Sequence, residues 1–299
     1  MLSILIPVFN YDVCGLVENL HGQALSENID FEIIVLDDAS DEEFRKINRP
    51  LKEFKHITYI EEKINLGRSK IRNKLAQMAR YNNLLFLDCD SGVFNNNFIH
   101  NYIENIGKAN VIYGGRLYAN NEYISTPYRL HWLYGSKREQ SPARERSIEP
   151  NRSFQTNNFL IQKQLLLEIG FNEKITGYGH EDTLFGFELK KRLITIKHID
   201  NPVVHLGLEP GEEFLRKTRE GIKNLKRIMR INGNEKRLVK DITILSYYKK
   251  IEKIGLDKTL EYLYKRYEHV LRKNLLGRKP NLLVFDLYKL GYLCSINHE

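Results

Sequence analysis

The chain has 299 residues, 42% of them hydrophobic and 28% charged, which excludes a chain that depends on a partner for its core and suits one large α/β domain with an appendage, or two smaller domains. Its net charge of +8 is unevenly placed: residues 211–299 hold 21 Lys or Arg against 11 Asp or Glu, or +10, and the first 210 residues carry −2. Such a basic region suits an anionic membrane surface, nucleic acid or an ordinary solvated helix face, and charge alone excludes none of them.

The first segment, LSILIPVF, is an apolar run rich in Ile and Leu, and DFEIIVLDDAS repeats the form with Asp37 and Asp38 at its end. Both predict buried parallel strands. Between them Val13, Leu16, Val17 and Leu20 recur at helical spacing, and Phe44 and Ile47 begin the same spacing before Pro50 interrupts it. HITYIEE predicts a third strand, residues 67–81 a basic helix, and NNLLFLDCDSG a fourth strand running into a turn. Strands and helices alternating in this way predict a mostly parallel sheet covered by helices, with ligands received at the carboxyl ends of the strands.

Residues 98–106 predict another helix, and ANVIYGGRLY one more strand. Residues 120–151 are rich in Arg, Pro and Ser and lack periodicity. They predict a long excursion over the site, in which Arg129, Lys137, Arg138, Arg144 and Arg146 could close on an anionic diphosphate. Regular signal returns with FLIQKQLLLEIGFNE and with GYGHEDTLFGFELKKRLI, where Leu184, Phe187 and Leu189 predict a helix with Asp182 near its first turn. ITIKHI and VVHLGL predict two further strands. After Gly211 nearly everything reads as helix, broken near Asn232 to Asn234, at Gly255 and at residues 277–280. The expected division is a catalytic domain at residues 1–210 and a basic helical region at residues 211–299.

Several constellations could carry chemistry. Asp88 and Asp90 are alternate residues at the end of an extended segment, so both carboxylates can converge on one cation with oxygen ligands. A solvated turn would carry the same pair. Asp37 and Asp38 form a second pair at a neighbouring strand end, one to accept hydrogen bonds from a base or ribose and the other to cap the next helix. The helix at residues 67–81 offers its amino end with Arg68, Lys70 and Arg72 to a diphosphate, although a basic helix face is often only solvated. Gly177 and Gly179 free the backbone beside His180, Glu181 and Asp182. One acid suffices to cap the helix that follows, which leaves the second to take a proton from an attacking hydroxyl. His205, in VVHLG, can add a neutral imidazole to a metal held by carboxylates, or simply serve the core.

In chain order, ILIPVFN, VLDDAS, NLGRSKIRN, LDCDSG and GYGHEDTLFGFEL resemble the motifs of the family 2 glycosyltransferases, bacterial enzymes that build polysaccharides, capsules and lipopolysaccharides; the likeness spans roughly residues 1–210. The resemblance implies a GT-A fold, a Rossmann-like α/β nucleotide-diphospho-sugar transferase with a mostly parallel central sheet, followed here by the C-terminal helical region. It implies that Pro7 and Phe9 line the nucleotide pocket, that Asp38 binds uracil or another base, and that Asn65, Gly67 and Arg72 belong to the donor-binding set, with Arg72 near the diphosphate. Asp88, the first acid of the DxD motif, would lie near the ribose. Asp90, the last acid, would coordinate Mn2+ or Mg2+, with His205 as a further ligand. Asp182 would be the base, and Glu181 would bind acceptor hydroxyls. Two departures stand out: the family often has glycine near the position of Ala39, and in some members aromatic residues flank the acceptor motif where Tyr178 stands.

The reaction implied by this resemblance is transfer of a sugar from a UDP-sugar to a hydroxyl of a saccharide or lipid-linked saccharide, by a single displacement that inverts the anomeric carbon. A nucleotidyltransferase of similar fold would share the metal-binding aspartates, and a noncatalytic binding subunit could keep the fold. Nucleic acid has only the charge in its favour, because the tail shows neither zinc spacing nor a glycine-rich RNA motif, so no nucleic-acid partner is expected. Cys14, Cys89 and Cys294 are widely spaced with no CxxC pair, which predicts free thiols in a reducing compartment. The run at residues 2–9 has no basic lead and meets Asn10 and Asp12 too early for a signal peptide. No window reaches the roughly 18 to 20 apolar residues that span a bilayer. The expected location is the cytoplasm, with the basic tail against the inner face of the cell membrane, packed on the catalytic domain, or pairing with a second copy in a homodimer.

Overall fold

The computed structural model describes residues 1–120, 124–233 and 235–296. In chain order it runs β1 (Leu2–Val8), α1 (Cys14–Ser26), β2 (Phe31–Asp37), α2 (Glu42–Asn48), β3 (Ile57–Glu61), α3 (Arg68–Met78), β4 (Asn83–Leu87), β5 (Ser91–Gly92), α4 (Phe98–Ile103), β6 (Val111–Tyr113) and β7 (Arg116–Tyr118). There follow α5 (Arg129–Tyr134), α6 (Ala143–Arg146), β8 (Asn158–Gln162), α7 (Lys163–Ile169), α8 (Glu181–Lys191), β9 (Lys197–His198) and β10 (Val203–His205). The C-terminal helices are α9 (Gly211–Ile231), α10 (Lys236–Asp241), α11 (Thr243–Lys253), α12 (Asp257–Leu275) and α13 (Leu282–Ser295). These elements form two compact units, one of Met1–Ala119, Gln140–Thr176 and Glu181–Gly207, the other of Asn120–Glu139, Gly177–His180 and Leu208–Glu299.

The first unit is built on a seven-stranded sheet of order β3-β2-β1-β4-β8-β6-β9. β1 explains the two-sided burial. Ile4, Ile6 and Val8 face a cluster with Val13 and with Val17 and Leu20 of α1, while Leu5 faces the opposite cluster with Ile71 and Leu75 of α3. Alternate side chains of a strand point to opposite faces, so a strand covered on both sides must be apolar throughout. The chain leaves β1 for β2 and β3 on one side and for β4 on the other, and the strand ends at such a reversal open a crevice for a ligand.

Within this sheet, among the described residues, four strand pairs are parallel, but β8 runs antiparallel between β4 and β6. The segment expected as a single strand, ANVIYGGRLY, is two. β6 stays in the large sheet and β7 leaves it at Gly114 and Gly115 for a three-stranded sheet of order β5-β10-β7. Both glycines are required: Gly115 has φ +100°, and a Cβ on Gly114 would collide with Tyr102, Asn158 and the Asn201 carbonyl.

The excursion at residues 120–151 is not irregular, because α5, a π-helical turn at Gly135–Glu139 and α6 occupy it; residues 121–123 lie outside the described residues. Nor is Arg146 free to meet a diphosphate. It is buried, and its guanidinium binds the carbonyls of Ser141, Gly114 and Ile199 and the ring of His198. Arg138 pairs with Asp286 at 3.0 Å, and Arg129 donates to the carbonyls of Ile124 and Arg278.

The second unit is helical, with the expected breaks near residues 232–235, 254–256 and 276–281 and one more at Ile242; residue 234 and residues 297–299 lie outside the described residues. Its core gathers Leu130, Phe214, Leu215, Tyr264, Leu275, Phe285 and Tyr288. Phe214 stacks on His131 at 4.4 Å, and Gly291 lets α13 approach α12 so closely that a Cβ there would stand 2.7 Å from Tyr264. Among the described residues no helix is long and apolar enough to cross a membrane. All three cysteines are free.

Candidate active site

Three small constellations lie in the first unit. The first joins β2 to α3. Asp38 follows β2, and its two carboxylate oxygens accept the backbone N–H groups of Leu66 (2.6 Å) and Gly67 (3.0 Å). Asn65 Nδ2 donates to the Asp38 carbonyl at 3.0 Å. Gly67, at φ +81°, is the N-cap of α3, so Asp38 anchors the backbone where it enters that helix. Burial raises the Asp38 carboxyl above the ordinary range, against the lowering by those two amides. Asp37 is fully buried and structural in its contacts: Ser40 N donates to it at 2.8 Å and Tyr59 at 3.3 Å. At the end of the adjacent β1, Phe9 is exposed and Pro7 partly buried.

The second constellation is a chain of charges. Arg72, on the inner face of α3, is 2% exposed. Its guanidinium donates to Asp88 Oδ1 at 2.7 Å and lies 3.5 Å from Glu181 Oε1, which Arg68 also reaches at 3.3 Å. Arg116 of β7 stands 3.6 Å from the other oxygen of Asp88. Glu181 opens α8 after a backbone in which Gly177, Gly179 and His180 all have positive φ. Burial pushes the Glu181 carboxyl up, but Arg68 and Arg72 outweigh it and hold the group below its ordinary value. Asp182, next in the chain, behaves in the opposite way: burial first and then the Glu181 charge push it up to about 6.

The third constellation is Asp90 with His205, whose Nδ1 lies 3.4 Å from Asp90 Oδ2. Sheet register brings them together, because β10 pairs antiparallel with β5, setting His205 opposite Ser91 and Val204 opposite Gly92. A Cβ at Gly207 would collide with the Asp90 carboxylate. Burial pushes the Asp90 carboxyl up, yet His205, Arg116 and Arg68 together hold it well below the usual range. Arg68 thus acts electrostatically on Asp90, Glu181 and Asp182 alike. Tyr11 is nearby too, since burial and then the charge of Asp90 raise its hydroxyl.

Among the described residues no three His, Cys, Asp or Glu side chains gather closely enough to hold a metal by themselves. Asp90 and His205 nevertheless fit as part of such a site. Oδ1 of Asp90 is buried without a hydrogen-bond partner among the described residues, and a carboxylate with an imidazole suits Mn2+ or Mg2+ when further oxygen ligands come from phosphate and water. Sequence patterns do not single out Arg116 and Gly207. The double glycine before Arg116 and the small residue two places after His205 were the available signals.

The chain is 24% identical over 243 residues to the chondroitin synthase of Pasteurella multocida (strain Pm70), covering 71% of this chain and 25% of that protein. It is 25% identical over 244 residues to the chondroitin synthase of Escherichia coli, covering 71% of this chain and 35% of that one. It therefore spans only about a quarter to a third of the length of these relatives. Among solved structures, a mannosyltransferase from Pyrobaculum calidifontis in complex with GDP-Man and Mn2+ superposes with a TM-score of 0.55 at 12% identity, over 99% of this chain and 86% of that one. Glucosyl-3-phosphoglycerate synthase from Mycobacterium tuberculosis, in complex with Mn2+, uridine-diphosphate and glucosyl-3-phosphoglycerate, gives 0.51 at 14% identity, over 75% and 78% of the two chains. The fold is accordingly the GT-A fold, α/β with a mostly parallel central sheet and a helical C-terminal region. The family model described as Glycosyl transferase family 2 matches residues 3–172, more than half of the chain, and the chain belongs to that family.

Proposed function

We propose that the chain moves a sugar from a nucleoside-diphosphate donor, with UDP as the carrier, to a hydroxyl of a saccharide or lipid-linked saccharide, with inversion at the anomeric carbon. The observation that carries this reading is the opposite treatment of two adjacent acids beside a metal-type pair. Glu181 is kept ionised by Arg68 and Arg72, while Asp182 is raised toward neutrality, and Asp90 stands with His205. Neighbouring carboxyls pushed apart in this way can take different roles.

Asp90 and His205 would hold Mn2+ or Mg2+, which when bound offsets the charge of the donor's diphosphate. Arg72 fixes Asp88 toward the ribose. Arg68, whose side chain is 44% exposed, is placed to meet the diphosphate. Pro7, Phe9 and the Asp38–Asn65–Gly67 group form the nucleotide side, where Asp38 both binds the base and holds the start of α3. Asp182 takes the proton of the attacking hydroxyl, and Glu181 orients the acceptor. Asp182 lies close enough to neutrality to ionise at pH 7 and still accept a proton. The named relatives synthesise chondroitin, which supports an acceptor of polysaccharide type. The test is a panel of UDP-sugars with and without Mn2+, read as UDP release in the presence of hyaluronan or chondroitin oligosaccharides. Release from no donor under any condition defeats the reading.

We place the enzyme at the inner face of the cell membrane. Successive helical turns of α12 expose Tyr262, Leu263, Tyr267 and Val270 with Arg266 and Lys273, and the acidic residues of that helix, Asp257, Glu261 and Glu268, fall on its other side at 100° per residue. Tyrosine with basic residues suits the interface of an anionic bilayer.

A further inference from the structure

We propose that Phe94 and Leu206 form a stacking platform for a pyranose ring of the acceptor saccharide; this rests on the glycosyl-transfer reading above and names a subsite within it. Phe94 leaves β5 two residues after Gly92 and is 74% exposed, and Leu206, 50% exposed, directly follows His205. The antiparallel register of β5 and β10 sets the two segments side by side. Both side chains lean over Gly92: a Cβ built there would stand 2.7 Å from the Phe94 ring and 3.2 Å from Leu206 Cδ1. Any larger residue at position 92 would displace the ring. Leu206 N also donates to the Asp90 carbonyl at 2.8 Å, so the platform is tied to the same backbone that carries the Asp90–His205 pair.

A single exposed apolar residue needs no explanation. Here two are seated together over a glycine, beside the group proposed to receive the donor, and that is a built feature. A pyranose ring presents a face of C–H bonds and a rim of hydroxyls. The C–H face is matched by the electron-rich face of an aromatic ring and by an aliphatic edge. The rim is matched by amides, and Asn95, Asn96 and Asn97, all exposed, follow Phe94 directly. A diphosphate would gain nothing from the two apolar side chains, and the nucleotide base already has its proposed place at the ends of β1 and β2. Two sugars meet at the centre; the donor's is carried in by its diphosphate and base, so the platform is assigned to the acceptor's, which has no such anchor.

The test uses saturation-transfer NMR on the full chain with hyaluronan and chondroitin hexasaccharides and the methyl glycosides of glucose, galactose and mannose. Wild type, Phe94→Ala and Phe94→Tyr are compared, and UDP with Mn2+ is titrated calorimetrically into the same three proteins. Wild type should saturate ring C–H protons of at least one saccharide. Phe94→Ala should bind it about 5- to 10-fold more weakly, and Phe94→Tyr should retain binding. Saturation of no saccharide by wild type, or affinity in Phe94→Ala within about twofold of wild type, overturns the platform. Loss of UDP affinity in Phe94→Ala also overturns it, because the ring would then serve the donor. If saccharide binding depends on Phe94 but wild type binds no UDP, the platform stands and the glycosyl-transfer reading fails.

Discussion

The guanidinium of Arg72 lies 3.5 Å from Glu181 Oε1 across 109 residues of sequence, while its other terminal nitrogen donates to Asp88 at 2.7 Å. One buried cation therefore ties the DxD segment to the start of α8. Together with Arg68 it holds the Glu181 carboxyl down, whereas at Asp182 burial and the charge of Glu181 outweigh the same two arginines.

Substituting the two acids should separate their roles. Asp182→Asn keeps the shape and removes the proton acceptor, so UDP with Mn2+ should bind as in wild type while transfer falls about 100-fold to 10,000-fold. Glu181→Gln strips the charge from a buried pair and should cost about 3 kcal/mol, seen as a melting temperature lowered by about 6–12 °C. Near-normal turnover in Asp182→Asn would move the base to Glu181.

The pH profile follows from the same shift. As the proposed base, Asp182 would have to be ionised to act, so turnover should rise with pH through about 6 and fall off on the acid side. The stability effect has the opposite sense. The folded-state carboxyl titrates above its unfolded value near 4, so as pH climbs from there to about 6 the ionised group progressively opposes folding. Asp182→Asn should therefore be more stable than wild type at pH 7 to 8, by about 1–2 kcal/mol, with the advantage gone below about pH 4. A flat difference across that range in denaturant titrations would refute the assignment.

Asp90 and His205 should act together on the metal. Asp90→Ala should abolish the Mn2+-dependent part of UDP binding in calorimetry, and His205→Ala should weaken it at least about 10-fold. Gly207→Ala should weaken it too, because the new methyl group displaces the Asp90 carboxylate. Unchanged UDP affinity in Asp90→Ala with Mn2+ present would remove that residue from the site.

Ala39 occupies the left-handed region at φ +64°, where a side chain costs about 1–2 kcal/mol per residue. Ala39→Gly relieves that cost but loses about 0.4–1 kcal/mol to the freer unfolded chain, so its stability should equal or exceed that of wild type. Ala76→Gly, at a buried position in the last turn of α3, should lose about 1–2 kcal/mol. Equal losses at both positions, measured by denaturant unfolding, would show that residue 39 carries no strain.

For the membrane face, the full chain should sediment with phosphatidylserine vesicles at low salt and release as salt rises. Removing α13 to test this would also remove Phe285 and Tyr288 from the core of the helical unit, so point substitutions are the better probe. Arg266→Glu with Lys273→Glu should abolish sedimentation while the melting temperature is kept. Sedimentation by neither protein would leave α12 an ordinary solvated helix.

Much of the first unit was legible in the sequence because local patterns determine it. Apolar runs ending in acids are strands whose termini meet ligand, and the spacing of Val13, Val17 and Leu20 can serve only a helix with one buried face. The helical tail, with its breaks at asparagine, glycine and proline, was legible for the same reason. Sequence patterns also singled out Asp88, Asp90, Glu181, Asp182 and His205 as chemically interesting types. What joins them was not legible, since pairing between distant segments has no local signature. The antiparallel insertion of β8, the departure of β7 at Gly114 and Gly115, and the register that sets His205 opposite Ser91 depend on which strands meet. Burial then decided the charges. An arginine reads as a solvated or ligand-facing cation until packing shows that Arg146 is spent on backbone carbonyls and Arg72 on Asp88 and Glu181, because a charge taken out of water must find partners wherever the fold supplies them.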